Sequence, residues 1–559
     1  FTVSPTATSV PTYYLPTNGG RLTNTNGDNR NWTIRNQFIF DKNRGKHQLT
    51  TLAGMEVQEQ FTSNAIIVVR GFDEDLLTSQ AADYKTLTGF ILNTVWPNYS
   101  GVASTLGYDG FRNNEVTSRF TSYYANAAYT WNSKYTLNAS WRNDQSNLFG
   151  KDKSAQNKPV WSIGGKWAAH NETFMQPVTW LKQLALRLTY GITGNSPSPG
   201  TAASDDITSP YGSAFFPNSI GMQIRTPGNP KLTWESTRTI NLGLDFAIFS
   251  YRLQGSIDVY NKKTTNLLGV VYPNSLNGWP AIVGNQGTIL NKGIEVALNS
   301  VNIRTKTFEW GTNLTFAYNK NKILKLTTTA PITTGATQVV QSYKEGLPAG
   351  AAFAYDYEGL DNTGAPLVRL ADGKITSDKA ITKPEDILYA GTYQPIWNGG
   401  ISNNFQYRNF RLSANVVYQM GHVMQRDRKV LFAGQLRNNI SPEFLNRWRK
   451  PGDEEFTDIP PYITNASPSA GISNFDYFTR GDINFVDASF VKLRDITLFY
   501  DLPKSLINKV RAQGITFRVQ VSNVMLWKAN RYGIDPEFGQ SLVLPVNQKT
   551  LTLGANLSF

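Results

Sequence analysis

The stretch "KTLTLGANLSF", Lys549–Phe559, sets the reading of the fold. Leu551, Leu553, Ala555, Leu557 and Phe559 fall on one face, with Thr550, Thr552, Gly554, Asn556 and Ser558 on the other. Strict alternation with period two marks a strand with one apolar and one polar face. In a soluble domain such a strand at the chain end exposes an aggregation-prone edge, whereas a strand that closes a ring has no free edge.

Working outward, the same alternation recurs. In "KYTLNASWR" Tyr135, Leu137, Ala139 and Trp141 oppose Thr136, Asn138, Ser140 and Arg142. In "LALRLTYGI" Leu184, Leu186, Leu188, Tyr190 and Ile192 share a face, and in "FRLSANVVYQM" Phe410, Leu412, Ala414, Val416, Tyr418 and Met420 do so. Strands are expected near 32–41, 46–60, 116–131, 134–146, 158–170, 183–195, 232–249, 251–267, 289–303, 306–322, 392–407, 410–425, 487–502, 514–527 and 548–559, about fifteen in all. Their connections alternate. Short ones include "DKNRG", "NSK", "FSY", "IRTKT" and "YRN", with two small helical turns near 172–181 and 503–512. Long ones lie near 61–115, 196–231, 323–391 and 426–486, with smaller members near 147–157, 268–288 and 528–547. Tight turns on one side and long loops on the other are the mark of an outer-membrane barrel. The expected fold is therefore all-β: an antiparallel transmembrane β-barrel with short periplasmic turns and long external loops.

Composition agrees. Aromatics make up 12% of the 559 residues, with 26 Tyr, 30 Phe and 13 Trp, yet mean hydropathy is only −0.35. The apolar residues are spread by alternation rather than gathered in runs, and no run approaches the ~20 residues of a membrane helix. Tyr and Trp gather towards strand ends, as in "AYTWNSKY", where an interfacial girdle sits. Cysteine is absent, which removes disulfides and thiolate metal sites. The formal charge of +13 is scattered and carries no recognition motif, so no nucleic-acid partner is expected. A basic rim facing lipid phosphates or an anionic cargo fits the charge better. The opening "FTVSPTATSV" lacks Met and reads as a processed or cut terminus.

Several stretches resemble the C-terminal half of the SusC/RagA-type TonB-dependent transporters of Bacteroidetes. In Asn229–Leu268 the resemblance rests on Trp234, Glu235, Asn241, Gly243, Asp245, Asp258, Tyr260 and Lys262. In Val283–Leu298 it rests on Asn285, Gly287, Asn291, Gly293 and Glu295. In Ala488–Gly539 it rests on Leu493, Tyr500, Leu502, Pro503, Asn523 and the "DPE" of Asp535–Glu537. The resemblance implies an importer of a glycan or peptide in the outer membrane of a Gram-negative bacterium. It also implies a SusD-like surface lipoprotein on the external loops and energy from the TonB complex passed through a plug. The plug and the TonB-binding segment belong to the family's N-terminal half, and neither is recognisable here. A passive porin or secretion channel shares the barrel, and a non-transporting adhesin would use the same loops.

The strand count has a further implication. Single-chain bacterial barrels have even numbers of strands, and large transporters have about 22. About fifteen strands in residues 32–559, with residues 1–31 as an external loop, leave about seven to be supplied by the N-terminal half of the same barrel. That half is expected as a separate chain or segment. Leu553, Leu557 and Phe559 are expected to form the assembly signal of the terminal strand.

Candidate sites are few. His47, His170 and His422 are far apart, and no hydrolase, metalloprotease or phosphate-loop motif is present, so no catalytic residue, cofactor or metal is expected. Asp361–Lys374 lacks the spacing of a Ca²⁺ loop and reads as a hairpin. Arg480–Asp482, "RGD", reads as a chance tripeptide. "SPEFLNRWRKPGDEE" reads as a short helix capped by Ser441, with Pro442 at its first position and a Pro451–Gly452 stop; it either stiffens a loop or docks the lipoprotein. Tyr272, Trp279 and Trp397 suit either sugar stacking or the membrane interface.

Overall fold

The computed structural model describes residues 2–558 except 4–5, 7, 88–90, 96–97, 105, 107–109, 199–204, 213–219, 273–275, 277, 280, 327–331, 429, 431–441, 463–473, 508–511 and 539–548. One antiparallel sheet dominates, in which each strand pairs with the next in sequence. Its fifteen consecutive strands are β1 (Gly20–Arg44), β2 (His47–Asp73), β3 (Phe111–Trp131), β4 (Tyr135–Ser146), β5 (Val160–Trp167), β6 (Leu181–Thr193), β7 (Ser236–Ile248), β8 (Leu253–Thr265), β9 (Thr288–Arg304), β10 (Phe308–Lys325), β11 (Trp397–Tyr407), β12 (Phe410–Met420), β13 (Phe490–Asp501), β14 (Gly514–Lys528) and β15 (Thr550–Ser558). All fifteen expected strands are present. Because the sheet is a simple meander, every short turn falls at one end and every long loop at the other.

Three boundaries need correction. Residues 61–73, expected in the long loop 61–115, continue β2 to Asp73. Residues 20–31, expected as part of an external loop, form the first half of β1, which is 25 residues long and pairs with the 27-residue β2. "GRLTNTNGDNRN" carries the Asn, Gly and Asp of a turn, but Gln60–Phe72 opposite supplies its ladder partners. Both strands far exceed the 9–11 residues that cross a bilayer, so this hairpin continues past the long-loop end. Leu232 and Trp234, expected in a strand, instead leave the sheet: Trp234 packs with Leu148 and Phe149, and Leu232 is buried with its carbonyl accepting from Gly150 N at 2.8 Å.

Register shows how the wall is built. One hydrogen-bonded row runs Leu49–Tyr129–Leu137–Gly165–Leu188–Leu242–Val259–Ile294–Tyr318–Trp397. Most of its large side chains are exposed, as a lipid-facing belt requires. The adjacent row on the other face runs Thr130–Thr136–Lys166–Arg187–Gly243–Asp258–Glu295. The outer row begins beside the turn at Gly45 and ends at Trp397, the first residue of β11 at the loop end. A row perpendicular to the strands that climbs from one end to the other means that the strands are tilted, as closure into a barrel demands.

Turns at the short end are tight. Asn132 and Ser133 have φ of 53° and 54°, and Lys134 N donates to Trp131 O at 3.0 Å, a type I′ hairpin. Phe249, Ser250 and Tyr251 all have left-handed φ, between 52° and 66°, which is costly for side chains of this bulk. Phe249 and Tyr251 are thereby thrown outward and exposed, beside Trp180 with rings 6.2 Å apart. With the exposed Trp131, Tyr135, Tyr407 and Phe410 they form the expected aromatic girdle. Each short connection, or one of the first two strand residues after it, carries a cation: Lys46, Lys134, Lys182, Arg252, Lys306, Arg408 and Lys504.

Glu172, in the connection between β5 and β6, is fixed at this end. It accepts from Lys134 Nζ at 2.7 Å, from Tyr135 Oη, and from Trp167 Nε1 at 3.2 Å. These donors, Lys134 foremost, lower its carboxyl from its ordinary value to about 2. A lowered folded-state pKa stabilises above the unfolded value and is lost as pH falls towards the folded one. The difference in unfolding midpoint between wild type and Glu172→Gln should be constant above about pH 5 and vanish towards pH 2. A difference that does not change with pH would show that Glu172 acts by packing alone.

Candidate functional site at the barrel mouth

The main apolar core is not in the wall, which is a single layer, but above its mouth. The β10–β11 connection folds into a four-stranded sheet ordered Ile375–Thr376, Pro366–Arg369, Ala351–Leu360, Ile387–Thr392. The β12–β13 connection packs against it. One cluster gathers Val339, Phe353, Tyr355, Val368 and Ile387 with Tyr477; the next gathers Tyr357 and Leu360 with Val430, Phe444, Ile459 and Phe478. Backbone bonds join the two loops: Tyr355 N donates to Arg480 O at 3.0 Å, and Gly481 pairs with Tyr355 in a parallel bridge. Tyr477 Oη donates to Asp378 O at 2.9 Å and Tyr357 Oη to Asp458 O at 2.7 Å. Together the loops make one cap.

Expectations for these loops fare unevenly. Asp361–Lys374 is a hairpin segment: Asp361 Oδ1 accepts from Thr363 N and Ala365 N, and Gly364 takes φ +78° where a Cβ would strike Trp448 at 2.7 Å. The expected helix is shorter than read. It is a 3₁₀ turn, Pro442–Asn446, that sinks Phe444 into the cap; Gly452 at φ +97° then admits a second turn, Asp453–Glu455. Ser441 lies outside the described residues. Arg480–Asp482 is spent inside the interlock, where Asp482 Oδ1 also accepts from Tyr357 N.

Beneath the cap lies a cavity of about 860 Å³, lined among others by Ser342, Phe353, Gln419, His422, Arg480 and Glu537. Gln419 alternates with the outward Met420, so it belongs to the inner face of β12. A cavity of this size with a few converging polar groups is what a small-ligand site offers. His422 is buried and its Nδ1 has no hydrogen-bond partner among the described residues. Burial pushes its imidazole below the ordinary value, against the opposing pull of Asp487.

Glu537 is held from the wall. Lys492 of β13, fully buried, reaches Asp535 Oδ2 at 3.0 Å and also Glu537. Arg494 Nη2 meets Glu537 Oε1 at 2.7 Å. A bulge frees Arg494 from its pairing with β12, and Asn523 on β14 adopts φ +61°, which Asn tolerates better than most residues. The "DPE" turn is thus latched onto the sheet and forms one side of the cavity.

Lower in the wall, Arg187 donates to both oxygens of Asp245 at 2.9 Å and to Asp258 at 3.1 Å, while Asn241 Nδ2 also donates to Asp258 at 2.8 Å. Gly243 lies opposite Arg187; a Cβ there would meet the guanidinium at 2.6 Å. Asn285 bridges Thr233 and Asn266 through its side chain, and Asn321 Nδ2 donates to Asn291 Oδ1 at 2.7 Å. Many of the residues behind the family resemblance are therefore lumen-face and loop-end fasteners. Of the three histidines, His47 and His170 lie at the turn end and His422 at the mouth, so no site unites them. Trp397 packs against Tyr318, with ring centroids 4.3 Å apart and the rings tilted by 40°. Tyr272 is exposed and Trp279 half-buried. Leu553 and Leu557 are exposed on the outward face of β15, and Phe559 lies outside the described residues.

A tilted antiparallel wall, an aromatic girdle and a folded cap over a polar mouth match a known architecture. The TonB dependent receptor-like β-barrel family matches residues 4–524. The chain belongs to that family. It is 27% identical to TonB-dependent receptor P39 of Formosa agariphila over 97% of this chain and 54% of that protein. It is also 27% identical to TonB-dependent receptor SusC of Bacteroides thetaiotaomicron, over 78% of this chain and 43% of SusC. The fold is shared with a structure of the RagAB peptide transporter, with a TM-score of 0.73 and 23% identity over 96% of this chain and 56% of that one. The chain spans about half the length of the relatives it matches. Members of this family are transmembrane barrels of the outer membrane, so the girdle end described above is periplasmic and the cap external.

Proposed function

We propose that these fifteen strands form most of the wall of an energised outer-membrane importer for a glycan or peptide. The observation that carries this reading is the cap: two long external loops folded into one core over a polar cavity at the lumen mouth. A passive porin gains nothing from a cavity roofed in this way, and an adhesin has no use for a polar lumen beneath its loops. The remaining strands, the plug and the TonB-binding segment would come from further polypeptide of the same barrel. Leu553, Leu557 and Phe559 would serve as its assembly signal. A SusD-like lipoprotein would sit on the cap.

Leu445 and Phe456, 68% and 86% exposed, stand on the outer side of the cap segment that bears the two 3₁₀ turns. They are the two large apolar side chains this segment offers to a partner seated on the cap. A mostly helical lipoprotein should co-purify with the intact transporter in mild detergent, and Leu445→Glu with Phe456→Glu should reduce its recovery about tenfold or more, as a lost hot spot of about 2 kcal/mol would. Growth on the transported glycan or peptide as sole carbon source should fail on deletion of the gene. Recovery of the barrel alone from wild-type membranes would refute the partner, and unchanged growth on every such substrate would refute import.

A further inference from the structure

Gly165 interrupts the lipid-facing belt. It occupies the outward row between Leu137 of β4 and Leu188 of β6, and a Cβ built on it would meet nothing within 4 Å among the described residues. The notch it leaves opens into a groove of about 680 Å³ lined by Leu137, Leu186, Leu188, Leu242, Trp131 and Trp167. The groove is apolar along its length. Its lower end is framed by Trp131 and Tyr135, stacked with centroids 5.7 Å apart. There the polar atoms of Tyr135 and Trp167 turn away to Glu172.

We propose that this groove is a phospholipid site of the periplasmic leaflet, holding one acyl chain against the backbone of β5. Three observations fix that occupant. The face looks into the bilayer, where the chemistry available to an apolar groove is the acyl chain. Gly165 is two residues from Trp167 at the end of β5, a rise of about 7 Å, so the notch lies just inside the girdle, where an acyl chain leaves its ester. Exposed Lys46 in the β1–β2 turn and exposed Lys182 in the first residues of β6 lie at this end, cations placed to meet a headgroup phosphate. A second copy of this chain would find no polar partner on this face, and lipid A belongs to the opposite leaflet.

The test uses the complete transporter in mild detergent, with bound lipid counted by native mass spectrometry, and then in nanodiscs with phosphatidylglycerol spin-labelled near the ester. Wild type should retain one phospholipid and show a motionally restricted component in the spin-label spectrum. Gly165→Leu fills the notch and should lower retention about tenfold, the loss of roughly two buried methylenes, while gel mobility still reports a folded barrel. Should that variant not fold, Leu186→Trp fills the same groove from its wall and should give the same loss. Equal retention in a folded, groove-filled variant overturns the proposal, as does wild type without bound phospholipid.

Discussion

Expressed without further polypeptide, residues 1–559 should fail to accumulate as a folded, membrane-inserted species. Among the described residues β1 pairs only with β2 and β15 only with β14. Every residue of β1 is exposed. In the bilayer each unpaired N–H or C=O along such an edge costs several kcal/mol, and two edges sum to far more than the ~5–15 kcal/mol that holds a domain together. Barrels of about 22 strands would need about seven more between these edges. Heat-modifiable mobility on gels should therefore be absent for the chain alone and appear on co-expression with the polypeptide that supplies them. The chain has no cysteine, so Ile34→Cys with Leu553→Cys is a clean probe. A disulfide between them in a folded barrel would mean that β1 and β15 meet directly and that the fifteen strands close alone.

Lys492→Ala should be the most damaging single change at the mouth. The ammonium is fully buried and neutralises two carboxylates, Asp535 and Glu537. Removing one partner of a buried ion pair while leaving the other costs about 3–5 kcal/mol, because the stranded charge remains desolvated. Protease cleavage within residues 529–538 and loss of ligand affinity at the cavity should appear together, with barrel mobility unchanged. Lys492→Met combined with Asp535→Asn and Glu537→Gln removes the charges together and should recover much of the loss. If Lys492→Ala leaves both the cleavage pattern and affinity at wild-type values, the "DPE" turn is held by something other than the latch.

The wall was legible because a barrel strand writes its two faces into alternate letters. Leu137 and Trp141 against Asn138 and Arg142 need no distant information. The number of strands and the turn–loop rhythm followed from such segments. Residues 20–31 were misread because a strand that runs beyond the membrane has no apolar face to alternate, and its Asn and Gly look like turn residues until the partner strand is seen. Leu232 and Trp234 misled in the opposite sense, as apolar residues buried outside the sheet, Trp234 in a local cluster. The cavity left no trace in the sequence: Ser342, Gln419, Arg480 and Glu537 come from four separate connections or strands. Nothing in the sequence singles out Lys492, although "DPE" downstream supplies the acidic pair. Nothing local in the chain links the two across more than 40 residues.

The interlocked cap imposes an order on biogenesis. Its decisive contacts are remote in sequence: Tyr357 with Asp482 is separated by 125 residues, Tyr357 with Asp458 by 101, Tyr477 with Asp378 by 99. Contacts of this span close slowly, since loop entropy must be overcome before they repay it. Most of that entropy is removed once β10, β11, β12 and β13 have zipped together, because the strands then hold all four loop ends at one rim. The cap should thus be the last part of the chain to acquire protection from hydrogen exchange. Until then the mouth stays unroofed, and a half-assembled barrel is distinguishable from a finished one at its outer surface rather than within the membrane.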